Sequence, residues 1–579
     1  MKYEKKWLET DVLIVGGGIA GCLAGIKAAE AGVSCTILEK SNTKRSGNAG
    51  AGIDHLFSYI PPLHEKTGYT IEEMKVDQNK MEFCDQGLGF PELNDFFVEH
   101  SYERILELEK YGLKFRFPDS KIPGGFRVVS QFHSVPTSLN FEGKDLKRVL
   151  TQEAKKAGVR IYNRVFVTEL LKDGDAVCGA VAIGTRENVI YVVKAKTTIL
   201  ATAGGVDRLC RSATGVDFER FHAPSMNNGA GKVLAVRAGA DVINLEYILS
   251  QGSSEWLNWT MGAGAPGGTY WPCGRIVDEQ GNVVVNRNTA FDVEDPDYKE
   301  KHQKQFEEYC RERGKMKERL AAGEQLYLDF SEASDEEIEY VRWSLGHEGK
   351  CNTILRNMEA KGIRFQDVRI PYQYTDLVQT ACTSSGVYVN VRCETTVERL
   401  YASGNEMGGV SNNSAPEAVV FGMEAGIRAA EKAKEISEAG KVDGRQVEQM
   451  KALVESFWEN EDGDSWIDTE HAVQDIVNTF GTSPHTDKKS KDALEALRRL
   501  EQNLHLKAKS PHEVGRCLDA LFILETAKSV FEACKNRKHT LGSFVKESGE
   551  KVEKAAPRKA TMYGIYKKDE KYCFHTIQP

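Results

Sequence analysis

Residues 11–40 read DVLIVGGGIAGCLAGIKAAEAGVSCTILEK, and this stretch decides the fold. Val12–Val15 is a short apolar run that predicts a buried parallel strand, and an alanine-rich helix follows it. Between the two, Gly16, Gly18 and Gly21 form the pattern G-x-G-x-x-G. Strand, glycine turn, helix and second strand together predict a dinucleotide-binding βαβ unit.

Each glycine has a separate physical task in such a turn. Gly16 permits the tight turn, Gly18 lets the backbone approach a pyrophosphate, and Gly21 lets the helix pack closely on the strand. The pyrophosphate would lie on the N–H groups and positive dipole of the helix that Ile19 and Ala20 begin. All five residues are therefore predicted to contact the cofactor.

Glu39 and Lys40 close the second strand of the unit. Glu39 lies close to the distance of about 20 residues at which an acidic side chain accepts the ribose hydroxyls of an adenosine. A carboxylate at this point would repel the 2′-phosphate of NADP. We predict that both residues belong to the cofactor site and that the cofactor is not NADP.

Three separated segments indicate that the dinucleotide is FAD. The loop 41–52 consists of small residues that fit along a pyrophosphate and an isoalloxazine ring, and a nicotinamide enzyme has no need of it. Residues 197–205 and 400–406 each read as a strand that ends in small or polar residues. The predicted contacts in these segments are Ser46, Gly47, Asn48, Ala49, Gly50, Ala201, Thr202, Ala203, Gly204, Asn405 and Glu406.

These residues resemble the fumarate reductase and succinate dehydrogenase flavoprotein superfamily, and more closely its adenylylsulfate reductase alpha-subunit branch. The resemblance implies an α/β fold: a doubly wound FAD-binding domain like that of glutathione reductase, an inserted α+β cap domain and a helical C-terminal region. Phe166, in one of the matching segments, joins the predicted cofactor contacts. Those segments are ETDVLIVGGG (9–18), RSG (45–47), YI (59–60), RVFVTELL (164–171), RAGA (237–240), LYLD (326–329), VVFG (419–422) and RKATMYG (558–564).

A further flavin contact is implied at the start of a late helix. Ser414 and Glu417 match a capping box, and the residues 418–433 that follow are mostly small and apolar. In the superfamily the corresponding helix directs its N-terminus at the pyrimidine edge of the flavin, where its dipole stabilises the reduced anionic ring. Ser414 and Ala415 are therefore predicted cofactor contacts.

The chain departs from the superfamily where the substrate binds. Fumarate reductases and succinate dehydrogenases hold a dicarboxylate with a His before a Thr-x-Gly-Gly turn and an Arg in the last flavin segment. Residues 373–386 contain no His, and residues 404–426 contain no Arg. The active-site His of adenylylsulfate reductase likewise falls at or beside Ala381, and its Asn maps to Phe57. Gly47 stands where a His carries the covalent flavin of many succinate dehydrogenases, so we expect non-covalent FAD.

Few residues remain to carry the chemistry. Cys382 lies where the superfamily keeps a catalytic polar group, so it is a candidate proton donor or nucleophile; an inert buried thiol is the simpler interpretation. Arg311 could correspond to the cap arginine of adenylylsulfate reductase. His55 and His133 are candidate acids or bases at neutral pH, and a structural role is the alternative for each.

The composition of the chain limits which partners and which cellular location we expect. The 579 residues carry a net charge of −9, so nucleic acid is not an expected partner. No apolar run is long enough to predict a membrane span, and the charged residues 1–10 predict no signal peptide. We therefore expect a cytoplasmic protein. The sequence leaves its oligomeric state open. The thirteen cysteines contain no Cys-x-x-Cys pair, so we expect neither a bound metal nor an iron–sulfur cluster held by this chain alone.

The sequence divides into four predicted parts. Residues 1–245 and 366–440 form the FAD-binding domain, 246–365 the cap and 441–579 a mostly helical C-terminal domain. Three functions remain open. The chain is a flavoenzyme acting on a small substrate and coupled to a ferredoxin-like iron–sulfur subunit, as the resemblance implies, or an adenylylsulfate reductase alpha subunit with an altered site, or an electron-transfer subunit without substrate chemistry of its own.

Overall fold

The computed structural model describes residues 2–80, 88–129, 134–206, 208–209, 226–249, 251–257, 273–288, 290–349, 352–378, 384–411, 414–540, 544–551 and 562–577. Its α-helices are α1 (Ile19–Glu30), α2 (Pro61–Thr67), α3 (Ile71–Asn79), α4 (Pro91–Leu106), α5 (Leu146–Lys156), α6 (Ala230–Ala238), α7 (Tyr298–Ala321), α8 (Asp335–His347), α9 (Asn352–Ala360), α10 (Ala415–Glu435), α11 (Gly444–Glu459), α12 (Trp466–Phe480), α13 (Asp487–Gln502) and α14 (Pro511–Asn536).

The strands form several sheets. In chain order they are β1 (Glu4–Val15), β2 (Cys35–Glu39), β3 (His55–Phe57), β4 (Arg127–Val129), β5 (Ser138–Asn140), β6 (Arg160–Asn163), β7 (Val165–Asp173), β8 (Ala176–Gly184), β9 (Val189–Leu200), β10 (Val242–Ile243), β11 (Gln251–Leu257), β12 (Arg275–Val277), β13 (Val283–Val285), β14 (Leu326–Asp329), β15 (Arg369–Val378), β16 (Gly386–Val387), β17 (Leu400–Ala402), β18 (His539–Thr540), β19 (Glu550–Lys551), β20 (Met562–Lys568) and β21 (Lys571–Ile577).

The central sheet has the order β6-β2-β1-β9-β8-β7, and β17 pairs with the end of β9. Strands β6, β2, β1, β9 and β17 are parallel, whereas β8 and β7 form an antiparallel meander with β9. Val12 pairs with Cys35 and Val15 with Leu38, so β1 and β2 end at the same edge. Helices α1 and α10 pack against each other on this sheet, and their small residues allow a close approach: a Cβ on Gly422 would lie 2.6 Å from the Cα of Ala20.

The cap has its own sheet and its own hydrophobic core. Strands β11, β15, β14, β12 and β13 form an antiparallel sheet in that order. Apolar side chains of this sheet pack with those of α7, α8 and α9 in a cluster separate from the main core, which includes Met316, Leu328, Val341 and Tyr372. The cap thus contains a hydrophobic cluster of its own, distinct from that of the FAD-binding part.

The C-terminal region packs onto the FAD-binding part. Buried residues of α11 to α14 belong to the same hydrophobic cluster as β1 and α1. The region also contains a hairpin that the sequence did not predict, in which β20 pairs with β21 and also with β10. Within the described ranges, no helix combines the length and the apolar character needed to cross a membrane.

Candidate functional site

A cleft opens at the carboxyl ends of β1, β2 and β9, the edge at which doubly wound sheets bind their ligands. One wall that the sequence did not predict consists of residues just before and within α6, namely Met226, Asn227, Asn228, Ala230 and Leu234. The predicted cofactor contacts that line the cleft are Gly16, Gly18, Glu39, Lys40, Ser46, Gly47, Phe166, Ala201, Thr202 and Ala203.

The glycine turn is shaped for a group that comes close to the backbone. Gly16 has a φ of +99°, and a Cβ there would lie 2.5 Å from the carbonyl oxygen of Ala201. A Cβ on Gly21 would lie 2.0 Å from the carbonyl oxygen of Gly16. Gly18 and Gly47 face each other, and a Cβ on Gly18 would meet nothing closer than the Cα of Gly47 at 3.9 Å. The gap that side chains would fill therefore fits a pyrophosphate on the N-terminus of α1.

Glu39 lies in the cleft with its carboxylate held by the backbone. One carboxylate oxygen accepts a hydrogen bond from the N–H of Gly17 at 2.7 Å, and the other accepts one from the N–H of Ser41 at 2.6 Å. Each oxygen of an ionised carboxylate has a second lone pair. Glu39 is therefore fixed in position and can still accept the two hydroxyls of a ribose.

We expect Glu39→Arg to weaken FAD binding at least about hundredfold, because it removes acceptors that contribute roughly 1.5–3 kcal/mol for each hydrogen bond to a charged group. Glu39→Gln is the matched control, since it keeps the size and one acceptor oxygen, and it should lose less affinity. The FAD content per polypeptide after gel filtration measures the effect. Wild-type FAD content in Glu39→Arg would show that Glu39 is not at the ribose.

Asp519 of α14 connects the C-terminal region to the cleft. One carboxylate oxygen accepts from Lys40 Nζ at 2.6 Å and from Asn228 Nδ2 at 2.7 Å. The other accepts from Arg208 at 3.2 Å and from Arg516 at 3.1 Å. Burial would raise the pKa of Asp519, but these cations outweigh it and hold the pKa below its usual value. Asp519 is thus a buried anion that fixes two residues of the cleft wall.

A second buried carboxylate, Glu406, lies behind the turn that follows β9. It accepts a hydrogen bond from the hydroxyl of Thr202 and pairs with Lys232 Nζ at 3.4 Å. Lys232 also donates to the carbonyl oxygen of Gly204 at 2.9 Å. Burial raises the pKa of Glu406, although the nearby Lys232 opposes the shift. The group connects the segments around residues 202 and 406 that the sequence assigned to the flavin.

The other predicted cofactor contacts are not among the described residues that line the cleft. Ile19, Ala20 and Gly21 form the first turn of α1, and Ala49 and Gly50 lie in the loop after β2. The Asn48 side chain accepts a hydrogen bond from Asn227 at 3.1 Å. Asn405 packs its backbone on Gly204. Ser414 precedes Ala415 at the start of α10, and the Glu417 carboxylate accepts from the Ser414 N–H at 2.8 Å, as the predicted capping box requires.

His55 has a partner that the sequence did not predict. Its Nδ1 lies 2.6 Å from a carboxylate oxygen of Asp54, and the hydroxyl of Ser344 in α8 donates to the other oxygen. Asp54 is buried, whereas the His55 side chain is 25% exposed. Burial would raise the pKa of Asp54, but the His55 charge and the hydrogen bonds from His55 and Ser344 hold it below its usual value. An ionised carboxylate that orients an accessible imidazole is suited to proton transfer.

The Asp54–His55 pair lies where the cap meets the loop after β2. A Cβ on Gly349 would lie 1.8 Å from the carbonyl oxygen of Ala51, so the end of α8 and this loop are in close backbone contact. Potential ligand atoms of Asp54, His55 and Glu348 also lie within 4.8 Å of one another, a spacing that a metal ion could use. The absence of a metal therefore stays a prediction.

The remaining catalytic candidates differ in their placement. Arg311 projects from the cap helix α7 with its side chain 63% exposed, and it pairs with Glu308 one turn earlier on the same helix. Arg311 is not among the described residues that line the cleft. Cys382 and His133 lie outside the described residues. Of the candidate acids and bases, His55 is thus the one whose surroundings the structure describes.

Comparison with known proteins identifies the family. The family model described as FAD binding domain matches residues 11–418, so the chain belongs to this family. It is 24% identical over 459 residues to a fumarate reductase (CoM/CoB) subunit of Methanothermobacter marburgensis, covering 74% of each chain. It is 22% identical to the adenylylsulfate reductase alpha subunit of Megalodesulfovibrio gigas, over 41% of this chain and 38% of that one.

Solved structures share the complete fold. Adenylylsulfate reductase from Archaeoglobus fulgidus superposes with a TM-score of 0.78 at 20% identity, covering 100% of this chain and 98% of the other. E. coli quinol fumarate reductase gives a TM-score of 0.74 at 17% identity, covering 99% and 97%. The predicted doubly wound FAD-binding fold with a cap and a helical region is confirmed, as is the resemblance that led to it. The protein is a FAD-dependent oxidoreductase.

Proposed function

We propose that this protein transfers hydride or electrons between non-covalently bound FAD and a small substrate under the cap, and that an iron–sulfur protein exchanges electrons with the flavin. The junction between cleft and cap carries this proposal: the Asp54–His55 pair adjoins the loop after β2, and Ser344 of the cap holds Asp54. When bound, FAD supplies the hydride or electrons. The chain supplies the enclosure and the proton.

His55 is the proposed proton-transferring group. Asp54 holds Nδ1 at 2.6 Å and so orients the imidazole, whose ring is the group proposed to exchange a proton with a substrate. Asp54 stays ionised at neutral pH because its pKa is held low, and it therefore favours the protonated imidazole. A general acid of this kind contributes roughly a hundredfold to ten-thousandfold to the rate.

The proposal of an iron–sulfur partner is based on two observations. The sequence contains no second dinucleotide motif that follows a strand, so a nicotinamide cofactor is not the proposed electron donor. Two relatives of this chain, a fumarate reductase and an adenylylsulfate reductase protein, are each named as one subunit of a larger enzyme. A small redox protein that docks on this chain is consistent with both.

Gly47 supports non-covalent FAD. It has a φ of +79°, and a Cβ at this position would lie 3.1 Å from the Cα of Gly18. A histidine here would need a strained backbone and would enter the gap proposed for the pyrophosphate. Acid precipitation of the purified yellow protein should therefore release all of its flavin into the supernatant.

Fumarate is not the proposed substrate. The segments 373–386 and 404–426 lack the His and the Arg that hold a dicarboxylate in the superfamily. We expect fumarate reduction more than about a thousandfold slower than reduction of the true substrate, because two charge-assisted contacts in the transition state contribute several kcal/mol. Turnover with fumarate and a reduced viologen dye measures this rate. Rapid fumarate reduction would show that other residues of this chain form the clamp.

Rapid mixing of the reduced flavoprotein with a substrate panel, without oxygen, tests the proposal. The panel contains enoates, enoyl-CoA thioesters and adenylyl sulfate, and the return of the oxidised flavin spectrum is followed. Reoxidation by an enoate or an enoyl-CoA would support the proposal. Reoxidation by adenylyl sulfate alone would favour the altered adenylylsulfate reductase. Reoxidation only by an oxidised ferredoxin would identify an electron-transfer subunit without substrate chemistry.

A further inference from the structure

A buried lysine lies behind the glycine turn. Lys147, in the first turn of α5, is 2% exposed. Its Nζ donates to the carbonyl oxygen of Gly17 at 2.6 Å and to the sulfur of Cys22 at 3.3 Å. None of the described carboxylates forms an ion pair with it. An ammonium group without a counter-charge is costly to bury, so another interaction must offset this cost.

The carbonyl of Gly17 receives hydrogen bonds from three side chains. Besides Lys147, the hydroxyl of Ser46 donates to it at 3.0 Å and the thiol of Cys22 at 3.4 Å. In a trans peptide the C=O and the N–H point in opposite directions. The N–H partner of this carbonyl belongs to Gly18, which lines the cleft whereas Gly17 does not. Lys147 and Cys22 do not line the cleft, so they hold the carbonyl from behind, and together with Ser46 of the cleft wall they fix the peptide with its N–H toward the cofactor side.

The charge of Lys147 acts through the same peptide. An ammonium on the carbonyl oxygen polarises the peptide and makes the opposite N–H a stronger donor. The pyrophosphate of a dinucleotide is the anion that this edge of the sheet binds. FAD would thus bring the negative charge that the buried ammonium lacks. A pyrophosphate that accepts from this N–H would therefore lie at the edge of the peptide opposite Lys147.

We propose that Lys147 is a positioning residue for FAD: it orients and polarises the Gly17–Gly18 peptide and compensates the pyrophosphate charge from behind the glycine turn. Lys147 would act in this way whichever substrate the flavin reduces. Glu39 acts on the neighbouring Gly16–Gly17 peptide, because its carboxylate accepts a hydrogen bond from the Gly17 N–H at 2.7 Å. A carboxylate and an ammonium thus fix two consecutive peptides of the turn.

Lys147→Met tests the proposal because it keeps the length of the side chain and removes the charge and the donor. We expect a loss of FAD affinity of about tenfold or more, which is typical of losing a hydrogen bond to a charged group. The FAD-free full-length variant should melt no lower than the FAD-free wild type, because it no longer buries an unpaired ammonium. If Lys147 only stabilised the fold, its replacement would lower the FAD affinity and the melting temperature of the FAD-free protein together.

Two further variants complete the experiment. Lys147→Gln can still donate to Gly17 without a charge, so its loss of affinity should be smaller; it replaces the methionine variant if that one is not recovered folded. Arg148→Met is the matched control, because Arg148 is the next residue of α5, is 58% exposed and pairs with Asp145. It should bind FAD like the wild type.

FAD affinity is measured by the rise of flavin fluorescence on dilution of the holoprotein, and melting by circular dichroism. An affinity of Lys147→Met within about threefold of the wild type would overturn the proposal, since a hydrogen bond to a charged group contributes more than this. Weaker binding together with a lower melting temperature of the FAD-free protein would also overturn it. That result would make Lys147 a residue of the fold alone.

Discussion

Asp519→Ala is expected to lower the free energy of unfolding by about 3–5 kcal/mol and to release FAD, because it leaves Lys40 without its counter-ion and removes one of the two carboxylates that pair with Arg208. Lys40, Arg208 and Asn228 all donate to this carboxylate, whose side chain is 2% exposed. Lys40 and Asn228 line the cleft. The substitution therefore disturbs the fold and the cofactor site together.

Urea unfolding followed by circular dichroism and by flavin fluorescence measures both effects. Asp492→Ala is the matched control, since Asp492 lies on the surface of α13 with 38% exposure and pairs with Lys488; it should change stability by no more than about 0.5 kcal/mol. A loss in Asp519→Ala as small as that of the control would contradict the prediction.

The same carboxylate predicts how stability depends on pH. Its pKa is lower in the folded protein than in the unfolded chain, so its contribution is complete above the ordinary aspartate value of about 3.9 and is lost as the pH falls through the folded value. Wild-type stability should therefore fall below about pH 4 more steeply than that of Asp519→Ala.

The sequence predicted the parts of the fold that depend on local contacts. The βαβ unit lies within 30 residues, and its strand ends, glycines and helix start are each specified by neighbouring residues. Helix α5 (Leu146–Lys156) and the meander of β7, β8 and β9 are built from contacts of the same local kind. These elements combine a hydrophobic period with turn or capping residues that agree with it.

The C-terminal hairpin shows where local reasoning fails. Asp569 and Glu570 form its two-residue turn with φ values of 49° and 60°. Turns of this type normally contain glycine or asparagine, so the sequence KDEK gave no turn signal. In the hairpin, Ile565 pairs with Val242 of β10, more than 300 residues away. A contact at that separation leaves no pattern in either segment.

The residues of the candidate site likewise differ in whether the sequence could predict them. Gly16, Gly18 and Glu39 line the cleft, and the sequence could predict them because a bound dinucleotide imposes their spacing. Asp519 reaches Lys40 from a distant helix, so sequence spacing could not reveal it. Lys147 did leave a signal, because it stands on the buried face of α5 together with Leu150 and Ala154. A single charged residue on an apolar helix face indicates a buried partner or a functional role.

His55→Gln is expected to slow substrate-dependent flavin reoxidation by about a hundredfold to ten-thousandfold, since it removes the proposed general acid. The flavin spectrum should stay unchanged, because His55 is not part of the cleft wall. Stopped-flow mixing of the reduced protein with whichever substrate reoxidises the wild type measures the rate. His471→Gln, at an exposed histidine of α12, is the matched control and should reoxidise at the wild-type rate.

Asp54→Asn separates proton transfer from a merely structural role for the pair. The asparagine keeps an acceptor for His55 but loses the negative charge that favours a protonated ring. For a substrate that is reduced, the rate should fall as the pH rises, and the fall should begin at lower pH in Asp54→Asn than in the wild type. The metal content of the purified protein is measured in parallel, because Glu348 completes a possible ligand set. A full wild-type rate in His55→Gln, or identical pH profiles for Asp54→Asn and the wild type, would show that the proton comes from another group.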